Sequence, residues 1–162
     1  MDTPIKLLFL CTGNSCRSII GEALANHLGQ GRLLAYSAGS QPTGKVNAHA
    51  LEVLARHGVT PEDPRSQSWD EFEQVPLDLV ITVCASAAGE TCPIWFGEAP
   101  KVHWGVEDPA HVVGDQATID AAFEKTYQEM HQRLSAMLAL PLETLDQQQL
   151  KNALVAIHQA AE

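Results

Sequence analysis

The sequence predicts an α/β fold, a doubly wound three-layer sandwich in which helices cover a four-stranded parallel sheet. Three observations carry this expectation. Short, continuous apolar runs alternate with segments of helical periodicity. No linker, repeat or low-complexity stretch interrupts the alternation, and 45% of the 162 residues are hydrophobic, enough for one domain with a real core.

The elements follow in order. "IKLLFL" (5 to 10) reads as the first buried strand, and "IIGEALANHL" (19 to 28) as the helix after it. "RLLAYSAG" (32 to 39) is the second strand. "NAHALEVLARHG" follows as a helix with Ala50, Leu51 and Leu54 on one face and Gly58 as its stop. "WDEF" reads as a short turn, "LDLVITVC" (77 to 84) as the third strand and "KVHW" (101 to 104) as a shorter fourth. The longest helix runs from about Thr118 to Leu138, where Ile119, Phe123, Tyr127, Met130, Leu134 and Met137 recur every three or four residues as a core stripe. A last helix spans Leu145 to Ala160 after "LPLE". In such a sheet, ligands bind at the carboxyl ends of the strands.

Charge narrows the partners. With 10 Lys+Arg against 20 Asp+Glu the formal charge is -10, which repels polyanions and argues against nucleic acid or an acidic membrane surface. No run approaches the roughly 20 apolar residues of a membrane span, and "MDTPIK" lacks the form of an export signal. A cytoplasmic location is expected, with its four cysteines reduced. Four residues separate Cys11 from Cys16 and seven separate Cys84 from Cys92, with His103 and His111 beyond; this spacing lacks a Cys-x-x-Cys pair and disfavours zinc. Cys16 taken alone reads as a buried, inert thiol.

The chemistry concentrates in "CTGNSCRS", residues 11 to 18, at the mouth of the first strand-to-helix turn. A strand running into a helix points successive backbone N–H groups inward, and with the helix end these form a cradle for a tetrahedral oxyanion. Thr12, Gly13, Asn14, Ser15 and Cys16 line that turn. Gly13 lets it curl, Asn14 and Ser15 tie it to itself, and Arg17 adds a planar pair of donors. The same donors and the Ser18 hydroxyl favour a negatively charged sulfur at Cys11, placing a nucleophile under the bound oxyanion. A departing oxygen needs a proton, and "GVEDPAH" (105 to 111) offers Asp108, held extended by Pro109. Glu107 is the weaker competitor, and an Asp-Pro turn without catalytic use is the plain alternative.

These residues carry a family resemblance. "CTGNSCRS" with "DPA" resembles the low-molecular-weight tyrosine phosphatase fold, and more closely the arsenate reductases built on it. The likeness extends through "SAGS", "SQSWDEF", "VCASAAGETCP", "HWGVEDPA" and the helix ending at "LALPLE". It implies Cys11 as nucleophile, Arg17 and the Cys11 to Ser18 loop as the oxyanion site, Asp108 as acid, and Cys84 and Cys92 as a redox pair that passes a disulfide outward to thioredoxin or to glutaredoxin and glutathione. The residues themselves are consistent: Cys84 ends the third strand on the sheet edge of Cys11, and "CASAAGETC" is small and polar, as a moving loop must be.

Two passive cysteines are the plain alternative. Two departures bear on the electron donor: the thioredoxin-dependent members have one residue fewer between the redox cysteines, and Ala85 and Ser86 replace their Asp-Asn pair. Some members bind potassium beside the loop; Asn14, Glu22 and Ser37 match part of that pattern, without a clear fourth ligand around Pro64 to Ser66. Three readings stay open: arsenate reductase, phosphatase for phosphotyrosine or small esters, and a non-catalytic oxyanion-binding or redox-sensing module. Phosphatases of this fold carry an aromatic after Asp-Pro, whereas Ala110 and His111 follow here, which favours a small inorganic substrate.

Overall fold

The computed structural model describes residues 4–11, 13–14, 16–40, 42–61, 65–72, 75–83, 99–106, 109 and 112–161. Four strands, β1 (Ile5–Cys11), β2 (Leu33–Gly39), β3 (Leu79–Thr82) and β4 (Lys101–His103), form one sheet of order β2-β1-β3-β4. All neighbours pair in parallel, with Cys11 opposite Gly39 and Leu10 opposite Thr82. The chain lays β2 on one side of β1 and then crosses to lay β3 on the other. That reversal opens a crevice at the carboxyl ends of β1 and β3.

The edges of the expected elements shift for local reasons. β1 runs one residue further than its apolar run, so Cys11 is its last residue. β3 is shorter than the 77 to 84 stretch: the Asp78 carboxylate accepts the Lys6 N–H at 2.9 Å just before it starts. The first helix, α1 (Arg17–Gly29), begins two residues before Ile19 and ends at Gln30 in the left-handed region. A Cβ on Gly21 would lie 2.7 Å from the Phe9 ring, so only glycine lets α1 settle this closely on β1.

In α2 (Ala48–Arg56), capped by Asn47, the fully buried face is Ala50, Val53 and Leu54. Leu51, expected on that face, is partly exposed, because the buried stripe centres on Ala50 between Val53 and Leu54 and Leu51 turns past its edge. "WDEF" forms a single 3-10 turn, Trp69–Phe72. α3 (Gln116–Leu138) starts two residues before Thr118 because Asp115 caps it, accepting the Thr118 N–H at 2.9 Å. α4 (Gln147–Ala161) starts two residues after Leu145, since a 3-10 turn takes Leu142–Thr144. Asp146 and Gln149 then close a reciprocal capping box at 2.8 and 3.0 Å.

Strand alternation divides the core. Leu7, Phe9, Ile81, Val102 and Trp104 face the helical layer, where Ile20, Leu24, Phe123, Met130 and Leu134 are buried. Leu8, Leu10, Ala38 and Val80 face the other way, covered among the described residues by Phe72 and Trp69 with Val75, Leu77 and Ala99. The two helical-side and turn-side layers are therefore unequal. Among the described residues no helix is long and apolar enough to cross a membrane.

Candidate active site

Cys11 ends the central strand, and its thiol is buried at the crevice. Its Sγ accepts the Asn14 N–H at 3.2 Å and lies 3.1 Å from Ser18 Oγ. Asn14 sits in the left-handed region at φ 49, which turns its amide back onto the sulfur. Its side chain sets a direction. Gln67 donates its backbone N–H to Asn14 Oδ1 at 2.7 Å, so Nδ2 must face Ser18, and it donates to Ser18 Oγ at 2.8 Å. The serine, accepting there, can turn its own proton to the sulfur, which a Cys11 thiolate requires because it can only accept. A polarised chain thus runs from the Gln67 amide through Asn14 and Ser18 to Cys11, and both Asn14 and Ser18 are fully buried.

The loop is braced from outside. Gly13 O accepts the Thr43 N–H and the Ser66 hydroxyl, each at 3.1 Å, while Cys11 O accepts the Ser40 N–H at 3.2 Å. Gln67 also donates its side-chain amide to Ser37 O at 3.0 Å. α1 opens at Cys16 without a side-chain cap. A capping side chain would occupy the first-turn amides that an oxyanion needs.

Arg17, in the first turn of α1, is buried, and its Nη1 donates to Val106 O at 3.2 Å and Val83 O at 3.5 Å. The guanidinium therefore bridges the segments that leave β3 and β4, which holds the planar fork in one orientation at the crevice. Cys16 is buried, as its plain reading expects.

Glu22 follows on α1, and burial pushes its carboxyl up to about 7 even though the hydroxyl and amide of Ser37 pull the other way. It lines a cavity of about 740 Å³ with Tyr36, Arg65, Gln67 and Glu71, which adjoins the supports of the loop and does not include Cys11. Of the three residues matched to potassium, Glu22 and Ser37 face each other, and the Asn14 oxygen accepts the Gln67 N–H at 2.7 Å. Among the described residues the metal-ligand side chains that gather in a three are His49, Glu52 and Asp120 on α2 and α3, not the cysteines; Asp120 already accepts Gln116 Nε2 at 2.7 Å.

Thr12, Ser15, Cys84, Cys92, Glu107, Asp108, Ala110 and His111 lie outside the described residues. What leads to them is described. Val83 donates its N–H to Leu10 O at 3.1 Å, so the residue before Cys84 is paired with the residue before Cys11. Val106, which precedes Glu107 and Asp108, donates its N–H to Val83 O at 3.1 Å. Sequence reasoning missed Thr43, Ser66 and Gln67 as loop supports; "SQSWDEF" marked the stretch but not which side chains reach back.

Residues 6–152 match the family described as low molecular weight phosphotyrosine protein phosphatase. The chain belongs to that family. Among its curated relatives, the arsenate reductase of Halalkalibacterium halodurans is 34% identical over 79% of this chain and 91% of its own length. That of Bacillus licheniformis is 36% identical over the same shares. The solved structure of an arsenate reductase from Archaeoglobus fulgidus superposes with a TM-score of 0.64 at 26% identity, over 80% of this chain and 98% of that one.

Proposed function

We propose that the protein reduces arsenate to arsenite with its own cysteines. The observation that carries this is the donor chain ending on Cys11 Sγ at the crevice, beside the oriented Arg17 guanidinium, in a chain whose relatives are named arsenate reductases. The loop Cys11 to Ser18, with Arg17, holds the oxyanion. Cys11 attacks the arsenic, and one oxygen leaves as water with a proton from Asp108, which forms the sulfur–arsenic bond. Cys84 then attacks Cys11 Sγ. The electron pair of the sulfur–arsenic bond stays on arsenic, which falls from the +5 to the +3 state and departs as arsenite, leaving a Cys11–Cys84 disulfide. Cys92 attacks Cys84 and releases Cys11 as thiolate, and an external dithiol or glutathione, supplied through thioredoxin or glutaredoxin, reduces the Cys84–Cys92 bond.

The pairing of Val83 with Leu10 supports the second step, because it keeps the chain beside β1 one residue past β3, up to the residue before Cys84. The test uses fully reduced protein and one equivalent of arsenate with no external donor, quenched in acid and mapped by mass. Cys84–Cys92 is expected in the wild type and a trapped Cys11–Cys84 bond in Cys92→Ser. If arsenate leaves all the thiols free while para-nitrophenyl phosphate is hydrolysed briskly, the chain is a phosphatase instead.

A further inference from the structure

α3 contributes a buried cation that the loop motif does not include. Arg133 is 5% exposed and stands beside the apolar stripe of Met130, Leu134 and Met137. Its Nη1 donates to two successive carbonyls, Trp104 O and Gly105 O, each at 3.3 Å. The next carbonyl, Val106 O, is the one taken by Arg17 at 3.2 Å. Two guanidiniums thus hold three consecutive carbonyls.

In a regular strand neighbouring carbonyls point to opposite sides. One nitrogen reaching both Trp104 O and Gly105 O means that the chain leaving β4 does not continue as a regular strand, and Arg133 is the group that rewards the break. Trp104 makes the start of the segment rigid: it is fully buried, its N–H donates to Thr82 O at 2.7 Å and its indole N–H to Leu154 O at 2.9 Å. The chain that leaves this held segment reads Glu107, Asp108, Pro109.

We infer that Arg133 is a positioning residue for the general acid. It fixes the backbone from which Asp108 departs relative to Arg17, because both arginines hold the same short segment. The inference rests on the reading of Asp108 as the acid. Arg133 acts through the segment and not on the substrate. A general acid must stand within hydrogen-bond reach of the departing oxygen, and a misplacement of about 1 Å costs on the order of 10²-fold.

The test compares Arg133→Met, Arg133→Lys, Asp108→Asn and the double variant Arg133→Met/Asp108→Asn in the full chain. Single-turnover arsenate reduction is followed across the pH range, with inorganic phosphate affinity and thermal unfolding measured alongside. Arg133→Met is expected to lower the rate about 10- to 100-fold and to flatten the fall in rate at high pH that Asp108 produces by losing its proton. Phosphate affinity should stay within about twofold, and adding Arg133→Met to Asp108→Asn should cost no more than about twofold further, since the acid it serves is already gone. Arg133→Lys, with one donor nitrogen, should recover part of the rate.

Losses that multiply in the double variant, a fall in phosphate affinity that matches the fall in rate, or a full rate in Arg133→Met would each overturn the positioning role while leaving Asp108 as the acid. A full rate in Asp108→Asn would instead remove the acid assignment, and the positioning role with it. Should Arg133→Met fail to fold, Arg133→Gln takes its place in the same cycle.

Discussion

Ser18→Ala is the sharpest probe of the donor chain that ends on Cys11. The Ser18 oxygen lies between Asn14 Nδ2 at 2.8 Å and Cys11 Sγ at 3.1 Å, with no exposed surface. Its removal has two separable effects. Asn14 Nδ2 loses its acceptor in a site closed to water, which lowers stability by about 1–3 kcal/mol. The sulfur loses a donor whose bond to a charged partner is worth about 1.5–3 kcal/mol. At about 1.4 kcal/mol per factor of ten, this corresponds to roughly a ten- to hundredfold change in rate.

The loss should fall on the step in which Cys11 leaves as thiolate, the attack of Cys92 on the Cys11–Cys84 bond. Acid-quenched samples taken after one equivalent of arsenate should show that disulfide lingering in Ser18→Ala, while urea unfolding reports the stability loss. Asn14→Ala should have a smaller effect in the Ser18→Ala background than in the wild type, because the two side chains act in series. Decay of the Cys11–Cys84 species at the wild-type rate, with unchanged stability, would refute the polarised chain.

Three further outcomes follow from individual contacts. Arg17→Ala should weaken inorganic phosphate binding in calorimetry by about tenfold or more, and Arg17→Lys should not restore it, since an ammonium cannot span Val83 O and Val106 O and present a planar fork. Glu22 ionises at about 7 in the folded protein against 4.5 in its unperturbed state, so the folded chain holds the proton longer than the unfolded one. Stability should therefore fall as pH rises from about 4.5 through 7, by up to roughly 3 kcal/mol, and Glu22→Gln should flatten that slope in urea melts. Gly21→Ala should cost about 1–3 kcal/mol in the same melts, because the new methyl meets the Phe9 ring at 2.7 Å; an unchanged midpoint would show that α1 can shift outward.

The sequence by itself determined the parts that depend on neighbours along the chain. Apolar runs bounded by turn residues marked all four strands, and the three- and four-residue spacing marked the stripe of α3, because burial on one face imposes its period directly on the residues. The position of Cys11 at the end of a strand, with Arg17 in the first turn of a helix, was legible for the same reason.

Only the tertiary structure decided what comes from residues far apart. The direction of the donor chain depends on the Gln67 amide, 53 residues from Asn14, and the orientation of Arg17 on Val83 O and Val106 O. Backbone amides and carbonyls are the same in every residue, so no side-chain pattern announces which of them will meet. Arg133 is the same case: in the sequence it is a charge beside an apolar stripe, and it gains a role only because packing α3 over the end of β4 turns two carbonyls toward one nitrogen.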